Sequence, residues 1–213
     1  YGLNADNDIR GENVKDMGLE GMRFDIVYGG GRITATIPSP GIHMVMNSLC
    51  AAAVGLTLGI EPELIKQGIE SYAPVEGRMQ IIKTQRLTLL DDSFNANPTS
   101  MAAAINIACR ASGRTVLILG DMLELGEKGA EYHRNMGKKA VECGADMMIG
   151  KGPLMKNACE ETERAGIETM HFDTSEDIMR TLDNCLRDGD TVLVKASHGT
   201  NLKDVAEYIK ANF

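Results

Sequence analysis

The sequence predicts an α/β protein: a Rossmann-like domain with a mostly parallel sheet, preceded by a smaller region made of a hairpin and two helices. Three observations predict it. Near the start, Phe24–Tyr28 and Arg32–Ile37 alternate apolar and polar residues on either side of Gly29-Gly30-Gly31, the pattern of an antiparallel hairpin. From Met79 onward, strand-like and helix-like segments take turns. Among those strands, Val116-Leu117-Ile118-Leu119 and Val192-Leu193-Val194 are apolar on both faces, as strands buried in a parallel sheet are.

The elements follow in order. Tyr1-Gly2-Leu3-Asn4 offers no initiator Met, helix cap or leading strand, so the chain is read as a piece of something longer. After the hairpin, Pro38-Ser39-Pro40-Gly41 leads into a helix over about 43–58, which Gly59 ends. A second helix runs over about 62–72, with Glu61 and Glu63 where the helix dipole favours carboxylates. Ala73-Pro74-Val75-Glu76-Gly77-Arg78 reads as a linker. Strands are expected at 80–83, 87–91, 115–119, 147–149, 169–172 and 191–195. Helices are expected at about 98–111, 128–143, 153–165, 175–186 and 201–211. Right-handed crossovers between such strands give three layers.

Composition narrows the function. The 213 residues carry 22 Lys and Arg against 30 Asp and Glu, a net charge of −8. Nucleic acid or an anionic membrane would require a basic field, so neither is an expected partner. Five cysteines, Cys50, Cys109, Cys143, Cys159 and Cys185, are scattered without CxxC spacing. They read as reduced core thiols of a cytoplasmic protein. With no Trp and 13 Met, the core is aliphatic and Met-filled. The longest apolar run, around 48–60, is too short and too Gly-punctuated to span a bilayer. A monomer is expected.

Several motifs are missing. The nearest approach to a Walker A loop, Gly144 to Gly152, is one residue too long, has Gly where Ser or Thr should meet magnesium, and lies on a strand. There is no G-x-G-x-x-G. The four histidines, His43, His133, His171 and His198, lack metal-ligand spacing, so no metal site is expected within the chain.

Polar residues gather instead where strands end. The run Leu90-Asp91-Asp92-Ser93-Phe94-Asn95-Ala96-Asn97-Pro98 closes a strand with two carboxylates and two amides, and Pro98 opens an Ala-rich helix. One Asx residue suffices to cap a helix; four within seven positions favour a ligand site. Gly120-Asp121-Met122-Leu123-Glu124-Leu125-Gly126 follows a second buried strand, and Lys195-Ala196-Ser197-His198 ends the last. All three fall at the carboxyl edge of the sheet, where open α/β folds bind ligands.

These runs also carry a family likeness. Asp91-Asp92-Ser93-Phe94-Asn95-Ala96-Asn97-Pro98-Thr99-Ser100-Met101 resembles the D-D-S-[YF]-N-A-N-P-x-S-M signature of MurF-type Mur ligases. Gly120-Asp121-Met122-Leu123-Glu124-Leu125-Gly126 resembles that family's G-D-M-x-E-L-G, with His133 at its usual downstream place. His43-Met44-Val45-Met46-Asn47-Ser48-Leu49 is similar to H-N-x-x-N-A-L, and Val194-Lys195-Ala196-Ser197-His198 to V-K-G-S-R. The likeness covers nearly the whole chain. It implies the tail of a P-loop ATPase domain over 1–78 and a carboxyl-terminal Rossmann-like domain over 79–213.

The resemblance implies chemistry as well. ATP phosphorylates the terminal carboxylate of UDP-MurNAc-tripeptide, and the amine of D-Ala-D-Ala attacks the acyl phosphate, a step of peptidoglycan synthesis. ATP and Mg2+ are the implied cofactors, with the P-loop and main magnesium ligands outside this chain, which is then inactive alone. Asn47, Arg78 and Asp92, with His43 beside them, match nucleotide-binding positions. Asn95, Asn97, Asp121 and Lys195 match positions facing the γ-phosphate and the incoming dipeptide. Lys195, Ser197 and His198 are candidates for the dipeptide carboxylate. Two departures stand out: Met44 replaces Asn, and Ala196 and His198 replace Gly and Arg. Two other readings remain: a related Mur, folylpolyglutamate or cyanophycin-type ligase, and a nucleotide-binding module without catalysis.

Overall fold

Arg10–Asp16 (β1), Met22–Tyr28 (β2) and Gly31–Ile37 (β3) form an antiparallel sheet in that order, in a computed structural model that describes residues 1–213. The predicted hairpin is β2–β3, with Met22 opposite Ile37 and Tyr28 opposite Gly31. Its alternation puts Phe24, Ile26, Ile33 and Ala35 on the face covered by Ile42–Thr57 (α1) and Pro62–Glu70 (α2). These elements make up a first unit, Tyr1–Pro74.

Strand β1 corrects the expectation of no leading strand. Its sequence, Arg-Gly-Glu-Asn-Val-Lys-Asp, is polar and holds one β-branched residue, so period-two reading passes over it. A register shift between Glu12 and Lys15, with Asn13 at φ 51°, breaks its pattern further. Side chains reinforce its ladder to β2. Asn13 donates to Asp25 Oδ2 at 2.7 Å, and Arg32 bridges Asp25 and Glu12 at 2.7 Å each.

The second unit, Val75–Phe213, is the expected three-layer domain. In chain order it comprises Gln80–Lys83 (β4), Thr88–Asp92 (β5), Pro98–Cys109 (α3), Thr115–Gly120 (β6), Gly129–Cys143 (α4), Met147–Lys151 (β7), Lys156–Arg164 (α5), Glu168–Phe172 (β8), Ser175–Cys185 (α6), Thr191–Lys195 (β9) and Lys203–Asn212 (α7). The sheet order is β4-β5-β9-β6-β7-β8. Only β4 is antiparallel to its neighbour. Every residue of β6 and β9 is buried, which explains their unbroken apolar runs. Helices α6 and α7 cover one face through Ile178, Leu182, Val205 and Ile209; α3, α4 and α5 pack on the other.

Helix starts differ from expectation for local reasons. The helix expected from 153 begins at Lys156, after a turn whose Leu154 and Met155 amides donate to the Asp121 carboxylate. The helix expected from 201 begins at Lys203, because Asn201 sits at φ 56°. No helix is long and apolar enough to cross a membrane.

The linker is bound into the second unit from Val75. Phe94 N–H donates to the Gly77 carbonyl at 2.9 Å, Met79 N–H to Asp92 Oδ1 at 2.9 Å, and Glu76 pairs with Lys203 at 2.9 Å. Gly77, at φ 70°, packs against Phe94, where a Cβ would already touch at 3.3 Å. The boundary anticipated at 78/79 falls inside this turn.

Candidate functional site

Parallel pairing decides what meets at the carboxyl edge. Asp92 and Lys195 are register partners on β5 and β9, so their side chains rise from adjacent strands on one face. Lys195 Nζ reaches Asp92 Oδ2 at 2.6 Å and donates to the Asn95 carbonyl at 2.8 Å. The lysine is 2% exposed. Burial raises the Asp92 pKa above the ordinary carboxylate value, and the facing ammonium only partly offsets it. Lys195 thus holds the strand end and the following loop together.

Neighbouring Asp91 points to the other face. Its Oδ1 accepts from Ser93 N–H at 3.1 Å and Ser93 Oγ at 2.6 Å. Its Oδ2 pairs with Lys210 Nζ on α7 at 2.8 Å. Burial pulls the Lys210 pKa down, but Asp91 and Glu207 outweigh it and leave it raised. Nothing in the sequence motif pointed to Lys210; the face it shares with Lys203, two turns earlier on α7, was the available signal.

The loop amides are spent locally. Asn97 caps α3, accepting from Ser100 N–H at 2.8 Å while Ser100 Oγ accepts from Asn97 N–H at 3.1 Å, a capping box. Asn95 Oδ1 accepts from the adjacent Ala96 N–H at 2.9 Å. Asp121 accepts from Met155 N–H at 2.7 Å and Leu154 N–H at 3.2 Å, tying β6 to the β7–α5 turn. The φ of 100° at Gly152 lets the chain pass so close that a Cβ would lie 2.6 Å from the Asp121 carboxyl carbon.

The three motif loops are joined by hydrogen bonds. Leu123 N–H donates to Ser197 Oγ at 3.0 Å, Ser197 Oγ donates to the Ala96 carbonyl at 3.2 Å, and Ser197 N–H donates to the Asp121 carbonyl at 3.1 Å. Ala196 lies opposite Gly120, where any Cβ would come within 2.7 Å of the alanine methyl. His198 does not join Lys195. Its ring lies 5.6 Å from that of Phe94, which is 42% exposed, and the exposed Arg78 guanidinium stands 4.0 Å over the same ring. This Arg78–Phe94–His198 cluster, with the two rings tilted at 43°, carries no signal in the sequence.

In the first unit, His43 and Asn47 stand one turn apart on the exposed side of α1. Asn47 borders an apolar groove of ≈ 400 Å³ between α1 and α2, lined by Ser48, Ala51, Gly55, Leu64 and Tyr72 among others. A largely apolar groove with one amide and two hydroxyl-bearing residues, Ser48 and Tyr72, is chemically suited to a flat heterocycle. No group of three or more His, Cys, Asp or Glu residues comes together to hold a metal ion.

Against known proteins, the profile of the family described as Mur ligase, glutamate ligase domain, matches residues 77–198. The UDP-N-acetylmuramoyl-tripeptide–D-alanyl-D-alanine ligase of Bacillus subtilis is 32% identical over 214 residues, covering 97% of this chain and 46% of its own length. MurF from Acinetobacter baumannii superposes with a TM-score of 0.89 at 24% identity, over 98% of this chain and 46% of that one. MurF ligase from Thermotoga maritima in complex with ADP gives 0.78 at 21% identity, over 96% and 46%. The chain therefore spans about half the length of the curated relatives it matches.

Proposed function

The chain belongs to the Mur ligase family, and on that premise we propose that it forms the carboxyl-terminal part of an ATP-dependent ligase of peptidoglycan synthesis. The ligase joins D-alanyl-D-alanine to UDP-N-acetylmuramoyl-tripeptide, the activity named for the Bacillus subtilis relative. In this reading residues 1–78 are the tail of the ATPase domain and 79–213 the carboxyl-terminal domain of a cytoplasmic monomer. The observation that carries the reading is the joining of the Asp91–Asn97, Gly120–Gly126 and Lys195–His198 loops through Ser197 at one sheet edge.

An amide cannot form directly from a carboxylate, because its oxygen is a poor leaving group. When bound, ATP and Mg2+ would supply the phosphoryl group that activates it and the charge that steadies the phosphates. The residues present fit part of a nucleotide. In the second unit Arg78 offers a guanidinium over an exposed aromatic face; in the first unit, taken by itself, Asn47 offers an amide at the groove rim, with His43 one turn before it on α1. Asp92 keeps acceptor capacity beyond its bonds to Lys195 and Met79, since a carboxylate presents about four lone-pair sites. The chain holds no P-loop, so the phosphate cradle must come from elsewhere.

On the amine side, Lys195 fixes the Asp92–Asn95 turn, and Ser197 aligns the loops around the incoming dipeptide. Asn95, Asn97 and Asp121 shape those loops through the bonds already described, and the exposed His198 offers a ring nitrogen toward the dipeptide carboxylate.

The test is to express the complete reading frame containing this chain and supply UDP-MurNAc-tripeptide, D-Ala-D-Ala, ATP and Mg2+. Phosphate release dependent on D-Ala-D-Ala, with a product heavier by the dipeptide less one water, is the expected result. Release that depends on a different amine would move the protein to a related ligase. No release with any amine would favour a nucleotide-binding module.

A further inference from the structure

Helix α4 buries an imidazole, His133, that is 0% exposed and has no assigned role in the reaction. Both ring nitrogens are engaged, in opposite senses. Met122 N–H points at Nε2 at 2.9 Å, and Nδ1 lies 2.6 Å from the Gly129 carbonyl one turn back. A backbone N–H can only donate, so Nε2 is the acceptor and Nδ1 carries the proton.

His133 is not half of an acid–base pair with Asp121. Nε2 is 3.9 Å from Asp121 Oδ1, beyond hydrogen-bond reach, and its lone pair is already committed to Met122. Both Asp121 oxygens are occupied by the Met155 and Leu154 amides.

The consequence lies in the loop that follows β6. Two successive amides point opposite ways: Met122 N–H inward to His133, and Leu123 N–H outward to Ser197 Oγ. Ser197 in turn donates to the Ala96 carbonyl of the β5 loop. Beyond them the backbone turns left-handed at Glu124, φ 62°. His133 is therefore the inner tether of a segment whose outer tether is Ser197, and Ser197 connects all three motif loops.

We propose that His133 is a positioning residue for the amine-binding loops, acting as a neutral, Nδ1-protonated acceptor for Met122 N–H. The proposal rests on the ligase reading above. His133 touches no substrate. It sets the peptide plane between Asp121 and Met122, whose carbonyl accepts from Ser197 N–H, and with it the place from which Ser197 Oγ meets Leu123 and Ala96.

The test uses His133→Leu, which removes the acceptor, and His133→Gln, whose carbonyl oxygen can replace it. In the complete ligase, His133→Leu is expected to raise KM for D-Ala-D-Ala about ten-fold, the cost of one buried unmade hydrogen bond. The KM for ATP and kcat should change far less, and His133→Gln should restore most of the loss. In the present chain, the His133 ring should give a pyridine-type nitrogen resonance at Nε2 and a pyrrole-type one at Nδ1. Exchange of the Met122 and Leu123 amides should quicken in the Leu variant and slow again in the Gln variant, with β9 amides unchanged. A pyrrole-type Nε2, or an unchanged KM for D-Ala-D-Ala in a Leu variant whose Met122 amide has loosened, overturns the proposal. A wild-type enzyme that does not use D-Ala-D-Ala overturns the ligase reading instead, and the ring resonances and exchange rates still decide whether His133 is the tether.

Discussion

Lys195 and Asp92 show how a charge is kept inside this protein. The pair lies almost wholly buried, joined at 2.6 Å, with the ammonium's further bond going to the Asn95 carbonyl. Removing one partner of such a pair leaves the other charged and unpaired, at a cost of about 3–5 kcal/mol. Lys195→Met should show that loss in urea unfolding at neutral pH. Acid should relieve it. The Asp92 pKa is raised in the folded state, chiefly by burial, so its contribution to stability falls as pH rises through the carboxylate range. Without Lys195 the pKa rises further, so the penalty is full at neutral pH and shrinks toward about pH 4 as the carboxyl takes up its proton. A penalty independent of pH would place its origin in packing rather than charge. At this scale the sequence revealed residue types but not their partners. Asn97 reads equally as a ligand group or a helix cap, because both tasks need a short side chain with a free carbonyl oxygen; the structure uses it as the cap. Asp91 and Lys210 are far apart in sequence, and no local pattern announces their pairing.

Elements were legible wherever burial imposed a period. The doubly buried strands β6 and β9 and the hairpin β2–β3 follow from apolar spacing alone. Strand β1 did not, since Val14 is its one large apolar residue on the core and side-chain hydrogen bonds reinforce its ladder to β2. Cap chemistry can be tested directly: Asn97→Ala removes the capping box of α3 and should cost about 1 kcal/mol in the unfolding free energy of the second unit. Close helix approach was also hidden in the sequence. Gly137 on α4 backs onto α5, where a Cβ would collide with the Ala158 carbonyl oxygen and come within 2.8 Å of its Cα. Gly137→Ala gains helix propensity yet should destabilise by about 1–3 kcal/mol, because two backbones must separate to admit one methyl. An unchanged or raised unfolding midpoint would mean that α4 and α5 part easily.

For the whole molecule, the sequence foretold two regions and the class of the second, because each carries its own periodicity. The division itself lay beyond it: a Pro- and Gly-bearing stretch reads as linker throughout, whereas the bonds from Glu76, Gly77 and Met79 attach it to the second unit. A piece comprising 75–213 should therefore unfold cooperatively by itself. A piece comprising 79–213 loses the Glu76–Lys203 pair and the Gly77–Phe94 bond, and should unfold at lower urea with faster exchange at Phe94. Equal midpoints would show that the turn adds nothing to the unit.

The place of β9 also governs how the protein can be made. It is the last strand of its sheet in the chain and lies between β5 and β6, with Leu193 opposite both Leu90 and Leu117. On a ribosome, β5 and the β6–β8 group emerge first with their facing edges open, and they can be joined only after the segment from Thr191 has left the exit tunnel. A nascent chain thus carries two unsatisfied sheet edges from the emergence of β6 until that of β9, the state in which chaperones engage and misassembly begins. A premature stop anywhere before Thr191 would leave those edges open for good, so even a late nonsense mutation should yield a product cleared by proteolysis.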